Sequence, residues 1–435
     1  GSWDAARVTD LSAPLWATLR GAPEELHRLH VTGPPTTLAS TFPVTGAGAA
    51  AVGASLLAAT LGTGRRVGLD TRELAVALRS ERYVRRDGRT LGDPFDPLSA
   101  FHRTADGWLR LHANYPWHRA AALRVLDCTE AEVPAAIAGW AGMKLENALH
   151  DAGGIGAAVR TEEAWRAETG PPPALVEHRI VGDAPARYRR RPRVLDLTRV
   201  IAGPVATRTL AVHGADVLRL DAPDRPETPL QSADTLPGKR SALLDLGSGR
   251  DVLERLLAGA DVVVTGYRPG ALDRFGLAPE ELAQRHPGLV IVTLSAWGHS
   301  GPWAHRRGFD SIVQAACGIA VAEGGQDTPG ALPAQVLDHA TGYLGAAAAL
   351  LALARQRRDG GSHHVRLALA ATAAWLQGLP RQGQDAVADV DPAPYLQELD
   401  AFTLARPPGT VDGEHLAWRP PASSFGTASP AWIDE

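Results

Sequence analysis

From Arg193 onward, short β-branched and leucine-rich runs alternate with stretches whose apolar residues recur at helical spacing. RVLDLT, ADVLRLD, ADVVVTG and LVIVTLSAWG read as strands, and PVATRTLAVHG, RDVLERLLAGA and PEELAQRH between them as helices. Each change of period falls at a short Gly- or Pro-marked break. This rhythm predicts a doubly wound parallel α/β sheet.

The pattern upstream is different. Arg72 to Arg82 has helical spacing, and FHRTADGWLRLHANYP then alternates apolar and polar residues around Ala105-Asp106-Gly107, as a small antiparallel hairpin would. Helical segments follow to about Arg166, and the Pro/Arg-rich stretch Gly170 to Arg193 reads as a linker or as a loop running over the surface. The expected division is a small-residue helical segment over 1–71, a smaller α+β domain over 72–170 and a linker over 171–192. A large Rossmann-like domain over 193–380 and an extended C-terminal segment over 381–435, packed on the large domain, complete it.

Two parts of the chain echo each other. The stretch starting at Gly46 and the stretch starting at Thr341 each run small-residue helix, Gly-basic turn, short strand and second helix, allowing a gap of two residues. Asp338 opens the second, with no Lys or Arg until Arg355, and Phe42 stands in its place in the first. A carboxylate entering an apolar helix lies near unpaired amides and the positive end of the dipole, which predicts an ionised, nucleophilic group; an ordinary acidic cap is the alternative.

Composition narrows the function. With 45% hydrophobic and 21% charged residues in 435, the chain buries large cores, and its formal net charge of −4 argues against a nucleic-acid binder. Any anionic ligand must therefore be met locally. Cys128 and Cys317 sit in apolar contexts without metal spacing, which together with the lack of a basic-then-apolar leader predicts a reduced, cytoplasmic setting. The charge-free run Val44 to Gly62 is mostly Ala, Gly and Thr and reads as a buried helix, so no membrane span is expected. The Ala/Arg-rich composition suggests a GC-rich bacterial genome.

Gly46 to Ala51, with Asp70 about twenty residues on, imitates a dinucleotide fingerprint. That motif needs a strand immediately before it, and Pro43 interrupts the preceding run, so no NAD site is expected. Neither a phosphate-loop, zinc-protease or nucleophile-elbow motif nor a Cys/His metal cluster appears in the sequence, and no metal is expected.

RVLDLTRVIAGPVATRTLAVHGADVLRLDAP, LPGKRSALLDL, ADVVVTGYRPGALDRFGLAPEEL, LVIVTLSAWGHSGPWAHRRGFDSIVQAACGIA and the Asp338 helix together resemble the class III CoA-transferase (CaiB/BaiF) family, in that family's order and spacing. His102 to Trp108 resembles the hairpin of the family's smaller domain, which here precedes the nucleotide-binding half rather than following the Asp-bearing helix. The resemblance implies an interlocked homodimer and coenzyme A as co-substrate. It also implies CoA transfer from an acyl-CoA donor to a carboxylic acid through an aspartyl anhydride and an aspartyl-CoA thioester.

By the same resemblance Asp338 is the nucleophile, and Val200, Ile201, Ala202, Leu236, Lys239, Arg274, Phe275 and Arg307 line the CoA nucleotide. Lys and Arg at strand ends suit a diphosphate and a 3′-phosphate; Arg225 reads instead as a solvated charge. Ile201 stands where relatives often carry a polar residue, and Gly153-Gly154-Ile155-Gly156 reads as a turn rather than a lid. An acyl-CoA racemase is one rival, opposed by Phe309 in Gly308-Phe309-Asp310, where racemases carry His, unless His305 or His339 substitutes; a non-catalytic CoA-binding protein is the other.

Overall fold

The computed structural model describes residues 5–383, 386–419 and 424–433. Its centre is a seven-stranded sheet made of β6 (Glu177–Gly182), β7 (Arg193–Leu197), β8 (Asp216–Asp221), β9 (Lys239–Leu243), β10 (Val262–Thr265), β11 (Val290–Ser295) and β12 (Ser362–Ala368). The order is β9-β8-β7-β10-β11-β12-β6, parallel throughout except for β6, which pairs antiparallel with β12. The chain moves outward from β7 through β8 to β9 and then returns to β10, so strand order reverses between β7 and β10. All four residues of β10 are buried, as a strand covered on both faces requires.

Within the span expected as a linker, Glu177–Gly182 is thus an edge strand. The expected C-terminal segment divides between the two halves: Thr410–Val411 pairs with the first half of the chain, while Trp432 donates to the Leu256 carbonyl beneath the large sheet.

The first half supplies β1 (Leu29–Thr32), α1 (Val44–Ala59), β2 (Val67–Asp70) and α2 (Thr71–Ala77). β1 and β2 pair in parallel, as β11 and β12 do, and α1 leads into β2 as α7 (Val336–Asp359) leads into β12. The two halves therefore share a helix–strand–helix plan, completed in the second by α8 (Leu369–Gly378). α1 packs along α7, with Ala47, Ala50 and Ala51 of one helix and Ala346, Ala347 and Ala349 of the other all buried. Such short side chains let two helix backbones lie close together. Counted from each helix start, the residue matching Asp338 is Gly46; Phe42 lies before α1, fully buried. Gly46 to Ala51 lies inside α1 rather than in a strand-to-helix turn, and Asp70 caps α2 through the Arg72 amide.

The hairpin forms as β3 (Phe101–Arg103) and β4 (Trp108–Leu111), and β5 (Gly156–Ala158) adds the third strand. Leu109 and Leu111 point into a separate apolar core with Val133, Ile137, Leu145 and Leu149. Strand alternation therefore turns Arg110 and His112 the other way, toward α6 (Asp310–Cys317), which packs on β4 and β5.

Candidate functional site

Asp338 is the third residue of α7 and is buried, 5% exposed. Its backbone N–H donates to Asp310 Oδ2 at 2.8 Å, and Asp310, at the start of α6, also accepts from Gln314 Nε2 at 2.5 Å. Gln314 Oε1 in turn accepts from the Leu332 amide at 2.9 Å, fixing the approach to α7. The two carboxyl groups thus form a buried pair. Burial, then Asp310 and Glu81, pushes the Asp338 carboxyl well above its ordinary range, and burial pushes Asp310 up to about 6. The helix start does not hold the Asp338 carboxyl low as expected: loss of water and a neighbouring carboxylate outweigh the dipole.

His339 turns away from this pair, and its Nε2 lies 3.0 Å from Glu81 Oε2. Glu81 comes from the first half, in the 3-10 turn Ser80–Arg82, where Ser80 Oγ also donates to Asp234 Oδ2 at 2.7 Å. The helix expected over 72–82 stops at Ala77 because Ser80 and Glu81 are drawn into these long-range bonds.

Val200, Ile201 and Ala202 form the turn from β7 into α4 (Ala202–Val212). Val200 holds a left-handed φ of 72°, strained for a β-branched residue, while its N–H donates to Glu227 Oε2 at 2.9 Å. Glu227 also accepts from Tyr115 Oη at 2.5 Å and Arg219 Nη2 at 3.1 Å, joining the small unit, the sheet and this turn. Gly342 lies one helical turn beyond Asp338, and a Cβ there would sit 2.7 Å from the Ala202 carbonyl oxygen. The Val200–Ala202 turn and the start of α7 therefore meet at the carboxyl edge of the sheet.

The remaining expected residues are less concentrated. Lys239 is fully buried, its Nζ 3.2 Å from Asp196 Oδ2 and 3.0 Å from the Pro204 carbonyl, and burial pushes it down to about 8. An ammonium engaged in this way neutralises an internal carboxylate rather than facing a phosphate, which departs from the expected role. Leu236 is buried beside it, accepting the Lys239 amide at 2.9 Å. Arg274 is exposed, with its guanidinium 4.6 Å from the Phe275 ring centre.

Arg307 belongs to a group that the sequence conceals. Arg199, Arg225, Arg268 and Arg307 follow the carboxyl ends of β7, β8, β10 and β11, four adjacent strands spanning the point where strand order reverses. Burial, Arg268 and Arg225 all push Arg307 down, and His118 is pushed down to about 3 by burial and by Arg307, Arg225 and Arg199. Arg199 donates to the Pro226 carbonyl and Arg268 to the His305 carbonyl, neither of which neutralises a cation. Arg225 pairs with Asp224, 4.0 Å away and 80% exposed. Trp117 adds a ring 4.7 Å from the Arg225 guanidinium. Mutually repelling arginines at a switch point form a ready site for a polyanion.

Phe309 stacks on His112, with ring centres 4.1 Å apart, and lies 6.0 Å from His118. Both histidines come from the small unit and are held neutral by burial. His305 is exposed, and neither it nor His339 replaces Phe309 in this packing. Among the described residues no cluster of His, Cys, Asp and Glu is arranged to hold a metal.

Residues 192–398 match CoA-transferase family III. The acetyl-coenzyme A transferase nodX of Hypoxylon pulicicidum is 36% identical over 46% of this chain and 35% of that protein. The probable fatty acyl-CoA transferase Rv3272 of Mycobacterium tuberculosis is 35% identical over 42% and 51%, and the succinate–glutarate CoA-transferase of Agrobacterium fabrum 33% over 41% and 50%. A crystal structure of Rv3272 aligns at 34% identity over 45% of this chain and 56% of that one, with a TM-score of 0.41. Over this segment, just under half of its length, the chain is similar to CoA-transferase family III. It spans between a third and about half of the length of these curated relatives.

Proposed function

We propose that the protein moves CoA from an acyl-CoA donor to a carboxylic acid, with Asp338 as nucleophile. The observation that carries this reading is a buried carboxyl pair at the edge of the sheet where four arginines gather. CoA presents a diphosphate and a 3′-phosphate, and Arg199, Arg225, Arg268 and Arg307 suit those groups by charge-assisted hydrogen bonds. The Val200–Ala202 turn lies between them and Asp338, where the pantetheine arm would run, and Arg274 and Phe275 flank the nucleotide. Lys239 and Leu236 act from beneath, by holding Asp196 and the turn before β9.

The carboxyl pair suits the chemistry. With one proton held by the two mutually repelling carboxyls, the form in which Asp310 carries it leaves Asp338 free to attack without exchanging a proton with water. An Asp338 oxygen adds to the thioester carbonyl and the C–S bond breaks, giving a mixed anhydride and CoA thiolate. The thiolate attacks the aspartyl carbonyl and releases the donor acid as its carboxylate. The acceptor carboxylate then attacks the aspartyl-CoA thioester, again freeing thiolate. Attack of that thiolate on the acceptor acyl carbon forms the new acyl-CoA and regenerates Asp338. No proton is gained or lost over the cycle. Phe309 cannot exchange a proton, which disfavours racemisation.

The test is intact-protein mass spectrometry after mixing with acyl-CoAs, with hydroxylamine or borohydride trapping. A CoA- or acyl-sized adduct is expected before trapping and a hydroxamate or alcohol in place of the Asp338 carboxyl after it; unmodified Asp338 under saturating acyl-CoA overturns the mechanism. The assembly proposed is a homodimer, which light scattering on the intact protein checks.

A further inference from the structure

The face of β4 turned toward α6 carries an unusual set of unsatisfied donors. Among the described residues Arg110 Nε, His112 Nδ1 just past the strand and His118 Nδ1 on the helix Pro116–Leu126 are buried without a hydrogen-bond partner, and so is Ser311 Oγ on α6. His112 and His118 are 4% and 8% exposed, so water does not readily replace the missing bonds. Arg110 lies between two rings, with its guanidinium 5.3 Å from the Phe95 centre and 5.0 Å from that of Phe101. Asp310 is the one carboxylate whose field reaches Arg110 appreciably. Arg110 is only half-buried, and a guanidinium held between two rings with its Nε unbonded suits a site completed by a ligand anion.

We infer that this face holds the acyl group of the substrate and selects acids with a second carboxylate, which Arg110 receives at the end remote from the thioester. The inference rests on the CoA-transferase reading and adds a substrate class to it. Phe309 directly precedes Asp310 and packs against His112, and gives the methylenes of a short dicarboxylic acyl chain an apolar wall. The neutral histidines donate N–H groups toward the same oxygens without adding charge. A monocarboxylic chain of equal length leaves Arg110 unpaired, and a polar site left unpaired discriminates more strongly than a missing methylene does.

The experiment compares two unreactive thioethers, S-(3-carboxypropyl)-CoA and S-butyl-CoA, by calorimetry, so that binding is read without turnover. The intact protein is expected to bind the carboxylated thioether roughly 10- to 100-fold more tightly, the range for a hydrogen bond to a charged group. Arg110→Met should erase that preference while S-butyl-CoA binds as before, and Arg110→Lys should keep most of it. Arg110→Gln, which is smaller and polar, provides a second charge-free variant if the methionine protein does not fold. Equal binding of both thioethers by the unaltered protein, or a preference that survives in the charge-free variants, overturns the inference and leaves CoA recognition standing. Binding of neither thioether to folded protein removes the CoA-transferase reading itself, and the inference with it.

Discussion

Replacing Asp310 with Asn should stabilise the protein at neutral pH. Asp310 is fully buried and pushed up to about 6 from an ordinary value of 3.8, with burial as the first cause. The folded state therefore holds this proton more tightly than the unfolded chain does. The stabilisation from the protonated group is complete below the unfolded value and is lost as pH rises through about 6. Two units correspond to about 3 kcal/mol. Asn cannot ionise, so the variant avoids that loss, but its single oxygen keeps only one of the bonds that Asp310 Oδ2 and Oδ1 accept from the Asp338 N–H and Gln314, which gives back about 1–2 kcal/mol. A net gain of about 1–2 kcal/mol is expected at pH 8, and none at pH 3.5. Urea unfolding of both proteins at half-unit steps from pH 3.5 to 8 measures it. A difference that does not vary with pH, or an Asn protein that weakens as pH rises, would show that the structure stabilises the Asp310 anion and refute the reasoning.

Asp338→Asn should abolish transfer while calorimetry shows CoA binding retained; residual turnover near the original rate would remove Asp338 as nucleophile. In the unaltered protein, kcat/KM should rise with pH through an apparent value near 6 as the pair loses its first proton, and a flat profile from pH 5 to 8 would contradict the shared proton. Arg307→Ala and Arg268→Ala should each weaken CoA and flatten the dependence of its affinity on salt, whereas Arg274→Ala, already exposed, should do less; titrations at two salt concentrations decide this. Lys239→Ala should cost about 3–5 kcal/mol of stability by leaving Asp196 unpaired and buried, read as a lower urea midpoint. Gly342→Ala should cost about 1–3 kcal/mol because its Cβ meets the Ala202 carbonyl and Val205, and should leave a lower melting temperature.

The strands of the large sheet were legible because buried parallel strands write continuous apolar runs, as ADVVVTG does for β10. β6 was not, since its exposed edge position calls for no apolar alternation and its flanks are rich in Pro and Arg. Asp338 stood out because a lone carboxylate opening an Ala/Leu helix has few structural explanations. The upward push on its carboxyl did not, because that depends on burial and on Asp310 and Glu81, which only the fold brings close. Each of the four arginines looks like a surface charge by itself, and Arg225 was read as one. Strand order gathers them, and the available signal was positional: each follows the carboxyl end of a strand. His112 beside the hairpin and His118 on the helix after it were hidden for the same reason, since their neighbour Phe309 lies nearly two hundred residues away.

The helix α7 is long and apolar enough, by length and composition, to cross a membrane, yet 89% of its apolar window is buried within the protein. Much of that cover is α1, contributed from nearly three hundred residues upstream. A shortened chain holding only the family-matching residues 192–398 would therefore carry Asp338 on a helix with one flank stripped bare, and would lack Glu81 and Tyr115 as well. Such a fragment should self-associate or adsorb to detergent before it shows any chemistry. The cover of the apolar helix and the contacts made by His339 beside Asp338 thus come from the same upstream half of the chain.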